Sequence, residues 1–253
     1  MTKIFRKRKK TFISAVLSVL LVACLIIANH ASNLVLPAQS AADNISSAEF
    51  NLHFLTLAKS QLENEANALA PDFRAIGAGG LVWKNGDYFY VASSAYANEN
   101  DAILVQNNLK QVQNIESEIV SVNFKSIIIN GSFTPEEKKT ILKALSASQN
   151  YYNSIYDIAI SLDTGVYNEI SAKLAVNSAH NTLANTFADF STLYGQPISQ
   201  PLSNIYSLLK ETSYSSQKLC TGEKISSNQT YSSLLKYRYL EVLKLYHNFL
   251  EKF

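Results

Sequence analysis

Leu81-Val82-Trp83-Lys84-Asn85-Gly86-Asp87-Tyr88-Phe89-Tyr90-Val91 places Asn-Gly between two runs rich in β-branched and aromatic residues. Asn and Gly tolerate the left-handed backbone of a type I′ turn, so this stretch predicts a two-residue hairpin. With Asn85-Gly86 as the loop, Lys84 opposes Asp87, Trp83 opposes Tyr88, Val82 opposes Phe89 and Leu81 opposes Tyr90. Directly opposed residues share a face of a sheet, which gathers Leu81, Trp83, Tyr88 and Tyr90 on one side.

Outward from the hairpin, the run Glu49 to Ala58 reads as a preceding strand. A first amphipathic helix follows from Ser60-Gln61-Leu62-Glu63, which has capping-box spacing, and carries Leu62, Ala66, Leu69 and Phe73 on one face. After the hairpin, Asn98 caps a second helix whose inward stripe is Ala102, Val105, Leu109 and Val112. A closing strand is expected from Glu118 to Asn130. The order strand, helix, strand, strand, helix, strand predicts an α+β domain over residues 49–130, two layers deep, with two helices on a four-stranded sheet and the other sheet face open. A shift of 36 residues sets Phe54 on Tyr90, Leu55 on Val91, Glu65 on Asp101 and Ala66 on Ala102, a weak internal repeat. It adds Leu52 and Phe54 to the aromatic face and puts His53 on the buried one.

Residues 131–253 carry apolar side chains at helical spacing. Thr134-Pro135-Glu136-Glu137 opens the first helix, Asp163-Thr164-Gly165 ends it, Gly195 to Pro201 forms the next break and Thr221 to Thr230 a polar loop. Four helices joined by short loops predict an antiparallel bundle. On them, His180 reads as a packed histidine, His247 as solvated, and Glu241 with Lys244 as a solvated face.

The amino terminus differs again. Residues 1–10 hold six cations, and the net charge of +2 less those six leaves −4 on the rest of the chain. Residues 11–28 are uncharged and apolar, long enough to cross a bilayer, and the preceding cations predict a cytoplasmic head with the bulk of the chain outside the plasma membrane. Leu21-Val22-Ala23-Cys24 also has the form of a lipobox, and a lipoprotein anchored at Cys24 is the alternative. Residues 29–48 read as a linker. An exported part with net negative charge lacks the electrostatic drive for nucleic acid. Two cysteines in unrelated contexts, Cys24 and Cys220, make neither a disulfide framework nor a four-ligand zinc site, and no metal or cofactor is expected. No Gly-x-Ser-x-Gly or His-Glu-x-x-His occurs, so no catalytic residue is assigned and a non-catalytic role is expected.

Tyr88-Phe89-Tyr90-Val91-Ala92-Ser93-Ser94-Ala95-Tyr96 followed by Asn98-Glu99-Asn100-Asp101-Ala102 resembles the second half of the SPOR domain, a sporulation-related module of the bacterial cell envelope. Ser94 stands where that family usually has glycine, and Ala58, Lys59 and Ser60 replace the corresponding residues of the first half. The resemblance spans about residues 49–130. It implies binding of peptidoglycan glycan strands, in cell division or sporulation, with Trp83, Tyr88, Tyr90, Phe54 and Leu52 as the glycan-binding face. Flat aromatic rings with polar edges stack well on the C–H faces of sugars. Two alternatives accompany it: the helical lobe, another domain or a partner covers the same aromatics as ordinary core, or the chain is an envelope scaffold whose bundle binds protein partners without glycan.

Overall fold

The computed structural model describes residues 44–196 and 200–253. The basic head, the apolar run, Cys24 and most of the linker lie outside them. Among the described residues no helix is long and apolar enough to cross a membrane.

The described residues are α+β, with a four-stranded sheet and six α-helices. A short strand β1 (Ile45–Ser46) precedes β2 (Phe50–Ser60), helix α1 (Glu63–Ala75), the hairpin β3 (Leu81–Asn85) and β4 (Tyr88–Tyr96), helix α2 (Glu99–Asn108) and β5 (Glu118–Phe124). The sheet order β3-β4-β2-β5 is antiparallel throughout, the split β-α-β arrangement. A second short strand, β6 (Ile128–Ile129), leaves this sheet and pairs with β1. The closing strand expected to run to Asn130 is therefore two strands, and the expected linker already carries strand structure at Ile45.

The hairpin is shifted one residue from its expected position. Asn85 opposes Tyr88, and the loop is Gly86-Asp87, with Gly86 at φ +58°. Only the first loop position needs positive φ here, and glycine supplies it without a Cβ clash. Trp83 consequently faces Tyr90 instead of Tyr88. Parity is preserved by this shift, so Trp83, Tyr88 and Tyr90 still share a face.

Helix α1 begins at Glu63 behind Leu62, without a side-chain cap, and tolerates Pro71 within its length. Asn98 caps α2 as expected, its Oδ1 accepting from the Asn100 N–H. A π-helical turn at Leu109–Gln113 then rotates the chain, which leaves Val112 75% exposed although its spacing had placed it on the inward stripe.

The bundle consists of α3 (Pro135–Asp163), α4 (Glu169–Tyr194), α5 (Leu202–Cys220) and α6 (Tyr231–Leu250). Thr134 and Glu137 form the reciprocal capping box, and Asn168 and Thr230 cap α4 and α6. Each helix packs on its sequence neighbour and α6 closes back onto α3.

The two parts share a core. A single cluster of buried side chains runs from Leu52, Phe54 and Phe124 in the sheet to Ile155, Leu209 and Phe249 in the bundle. The sheet is thus the middle of three layers, with α1 and α2 on one face, where Val82 and Val91 meet Ala66 and Ala70, and α6 on the other. The second face is closed, contrary to the open two-layer domain expected from the element order.

Close approach of the parts depends on Gly79. A Cβ there would lie 2.7 Å from Leu240 Cδ1 in α6 and 2.9 Å from the Ser93 carbonyl oxygen in β4. Gly79→Ala is expected to destabilise the protein by ~1–3 kcal/mol in urea unfolding, the usual cost of overpacking. Sheet and bundle signals should melt in one transition, because the larger cluster of buried side chains runs through both parts.

Candidate functional site

The aromatic face is where sugar binding was expected. Trp83 is 5% exposed and Phe54 1%, with ring centroids 4.6 Å apart. Phe124 stacks on Phe50 at 4.7 Å and lies 6.5 Å from Trp83. Over these rings lies the last half of α6: His247 meets both Trp83 and Phe124 edge-on at 5.3 Å, and Tyr246 lies 6.3 Å from both Phe50 and Phe124. Leu52, opposite Val122, is buried in the same cluster. Three of the five expected glycan-binding residues, Trp83, Phe54 and Leu52, are accordingly core side chains beneath the helical lobe.

Tyr90 is also buried, and Tyr88 is 37% exposed at the hairpin end of the sheet. The two rings are 6.3 Å apart, and the Lys59 ammonium sits 5.5 Å from the Tyr88 ring centroid while bridging to Glu118 at 3.0 Å. Tyr88 is the part of the expected face that meets solvent.

Polar groups of α6 hold the docking in register. The Tyr239 hydroxyl donates to the Ala95 carbonyl at 3.0 Å, accepts from the Ala95 N–H, and meets Ser94 Oγ at 3.2 Å. Ser233 Oγ donates to the Ala78 carbonyl at 2.6 Å, Lys236 Nζ to that of Gly77 at 3.0 Å, and Lys244 Nζ to that of Val82 at 3.1 Å. Lys236 also bridges to Asp163 at 2.6 Å. β3 is an outer strand whose free carbonyls invite another strand, and Lys244 of α6 takes one of them, that of Val82. Lys244 and Glu241, expected on a solvated face, are both engaged: Glu241 accepts from the fully buried Arg238 at 2.9 Å and from Ser215.

His180 Nδ1 lies 2.9 Å from Ser216 Oγ, but Ser216 is fully buried inside α5, where the pair ties two helices together. His53 bonds to Ser121 on β5 and is half-buried, so it does not occupy the interior expected of it. Burial pushes the Cys220 thiol up, which disfavours the reactive thiolate. A groove of about 190 Å³ runs between α3 and α4 past Asn150, Tyr151 and Leu183. The hydroxyls of Ser146, Ser154, Thr182 and Thr186 along it donate to carbonyls of their own helices, and Lys143 at its rim is tied to Asp189 at 2.6 Å. No group of three or more His, Cys, Asp or Glu side chains among the described residues is placed to hold a metal ion.

Comparison of the chain with protein-family models, curated proteins and solved structures finds no match in any of the three.

Trp83→Ala is expected to destabilise the whole chain by ~3–5 kcal/mol, as for a large core aromatic, in chemical denaturation. A surface aromatic would cost far less. His247 supplies a pH dependence: burial against the aromatic rings pulls its pKa below the ordinary 6.5, and nearby Lys125 acts in the same direction while Glu251 opposes it. The unfolded chain then takes up this proton at a higher pH than the folded one. Stability should fall as pH drops below about 6.5, and the fall should be smaller in His247→Phe.

Proposed function

We propose that the chain is a membrane-tethered cell-envelope protein that works as a scaffold for protein partners, without glycan binding through the sheet. The observation that carries this reading is the seating of α6 on Trp83, Phe54 and Phe124. A face that holds the protein together by excluding water has no room for a sugar. The basic head and eighteen-residue apolar run support the tether and the exported side. Its partners would be other envelope proteins, and its own chemistry that of binding, not catalysis.

A second reading keeps the glycan strand and moves it to the hairpin end. It is favoured by the split β-α-β topology, which agrees with the SPOR resemblance, and by the exposed Tyr88 beside Lys59. A role in division or sporulation would then follow from glycan recognition.

Co-sedimentation of the full chain in mild detergent with purified sacculi separates the two. The scaffold reading expects no more chain in the pellet than for an unrelated single-span protein, together with discrete protein adducts when intact cells are cross-linked and then digested with muramidase. Retention on sacculi that disappears in Tyr88→Ala would establish the second reading and overturn the first.

A further inference from the structure

The surface left for a partner is identified by the outer helical layer. On α1, Ala66, Ala70 and Arg74 turn inward, and Arg74 reaches Gly80 and the Tyr237 ring of α6. Leu62, Leu69 and Ile76, from the residue before the helix to the one after it, are all exposed. They are spaced seven apart, so at 100° per residue they form one narrow stripe, about 140° round the helix from Arg74 as measured at Leu69. The stripe therefore turns away from α6. Helix α2, on the same side of the sheet, exposes Ile103 and Leu104, and Val112 follows them in the π-helical turn.

The charges on this layer have one sign. Helix α1 carries Glu63, Glu65 and Asp72, and α2 opens with Glu99. Of the two cations on these segments, Arg74 is buried, and Lys110 is bridged to Glu116 at 3.1 Å. Like charges repel a second copy of the same face and an anionic lipid surface alike.

We propose that the α1–α2 layer docks a basic amphipathic helix of a protein partner, with leucine-like anchors on the Leu62-Leu69-Ile76 stripe and cations on the flanking carboxylates. This is the helix-on-helix mode of recognition, in which apolar anchors supply affinity and charges select the partner. The proposal rests on the scaffold reading, but the two fail separately: sacculus retention bears on the first and leaves the peptide test below unaffected.

The probe is a fluorescent 21-residue helix of leucine at heptad spacing with lysine elsewhere, titrated by anisotropy against the full chain in zwitterionic nanodiscs, with empty discs as the blank. Binding is expected to weaken at least tenfold in Leu69→Asp, in Leu104→Asp, with oligolysine of equal charge, and on raising salt from about 50 to about 500 mM. Tyr214→Asp, an exposed aromatic on α5, should leave binding unchanged and shows whether an added charge alone matters. Circular dichroism confirms that the variants remain folded. Equal binding to the layer variants and the parent overturns the proposal, as does equal affinity for a leucine–glutamate helix. Dimerisation of the chain that Leu69→Asp abolishes would assign the layer to a second copy and likewise overturn it.

Discussion

The contact of α6 with the sheet is the constraint on which the rest of the structure depends. A sheet built from Phe50, Leu52, Phe54, Trp83 and Phe124 exposes a continuous apolar face, and water opposes leaving such a face bare. Helix α6 removes it with Tyr246 and His247 while three of its polar side chains satisfy carbonyls of the β3 segment. The interaction is apolar at the rings and hydrogen-bonded at its border, so displacing the helix would uncover the rings and orphan buried carbonyls together. This coupling makes the contact part of the fold and not a lid over a site.

Consequences run in both directions from that contact. In the bundle, α6 must present one side to the sheet and the other to α3 and α5, which is why it is buried nearly all round and carries Tyr239, Arg238 and Tyr246 inward. Burial raises the Tyr239 phenol well above its ordinary pKa, and its hydroxyl remains a neutral donor to Ala95. In the sheet, the aromatics that a carbohydrate would have used are inside. The surfaces proposed for binding are therefore ones that packing leaves free: the hairpin end at Tyr88 and the acidic, leucine-bearing layer of α1 and α2.

Much of the fold was legible in local chemistry. Asn-Gly marked the hairpin, Asn98 and the Thr134–Glu137 box marked helix starts, and the element order implied the sheet. Local chemistry also misplaced what depends on distant partners. The hairpin loop moved by one residue, which puts Gly86 at the loop position of positive φ and leaves Trp83 on the same face in either register. Val112 was rotated outward by a π turn that has no composition signal. His247 and Lys244 looked solvated because helical spacing does not say that a sheet lies above one side of α6, and Glu241 because it does not say that Ser215 of α5 lies beside it. The aromatic stripe itself was read correctly as sharing a face; whether a face meets sugar or a helix is decided by residues more than a hundred positions away.

Trp83 is the protein's only tryptophan, so its fluorescence reports directly on the covered face. With the full chain in zwitterionic nanodiscs, blue-shifted emission, resistance to acrylamide quenching and no change on adding soluble peptidoglycan glycan strands are the results this account requires. Red-shifted, readily quenched emission that glycan protects would contradict it, because it would place the indole in an open binding surface.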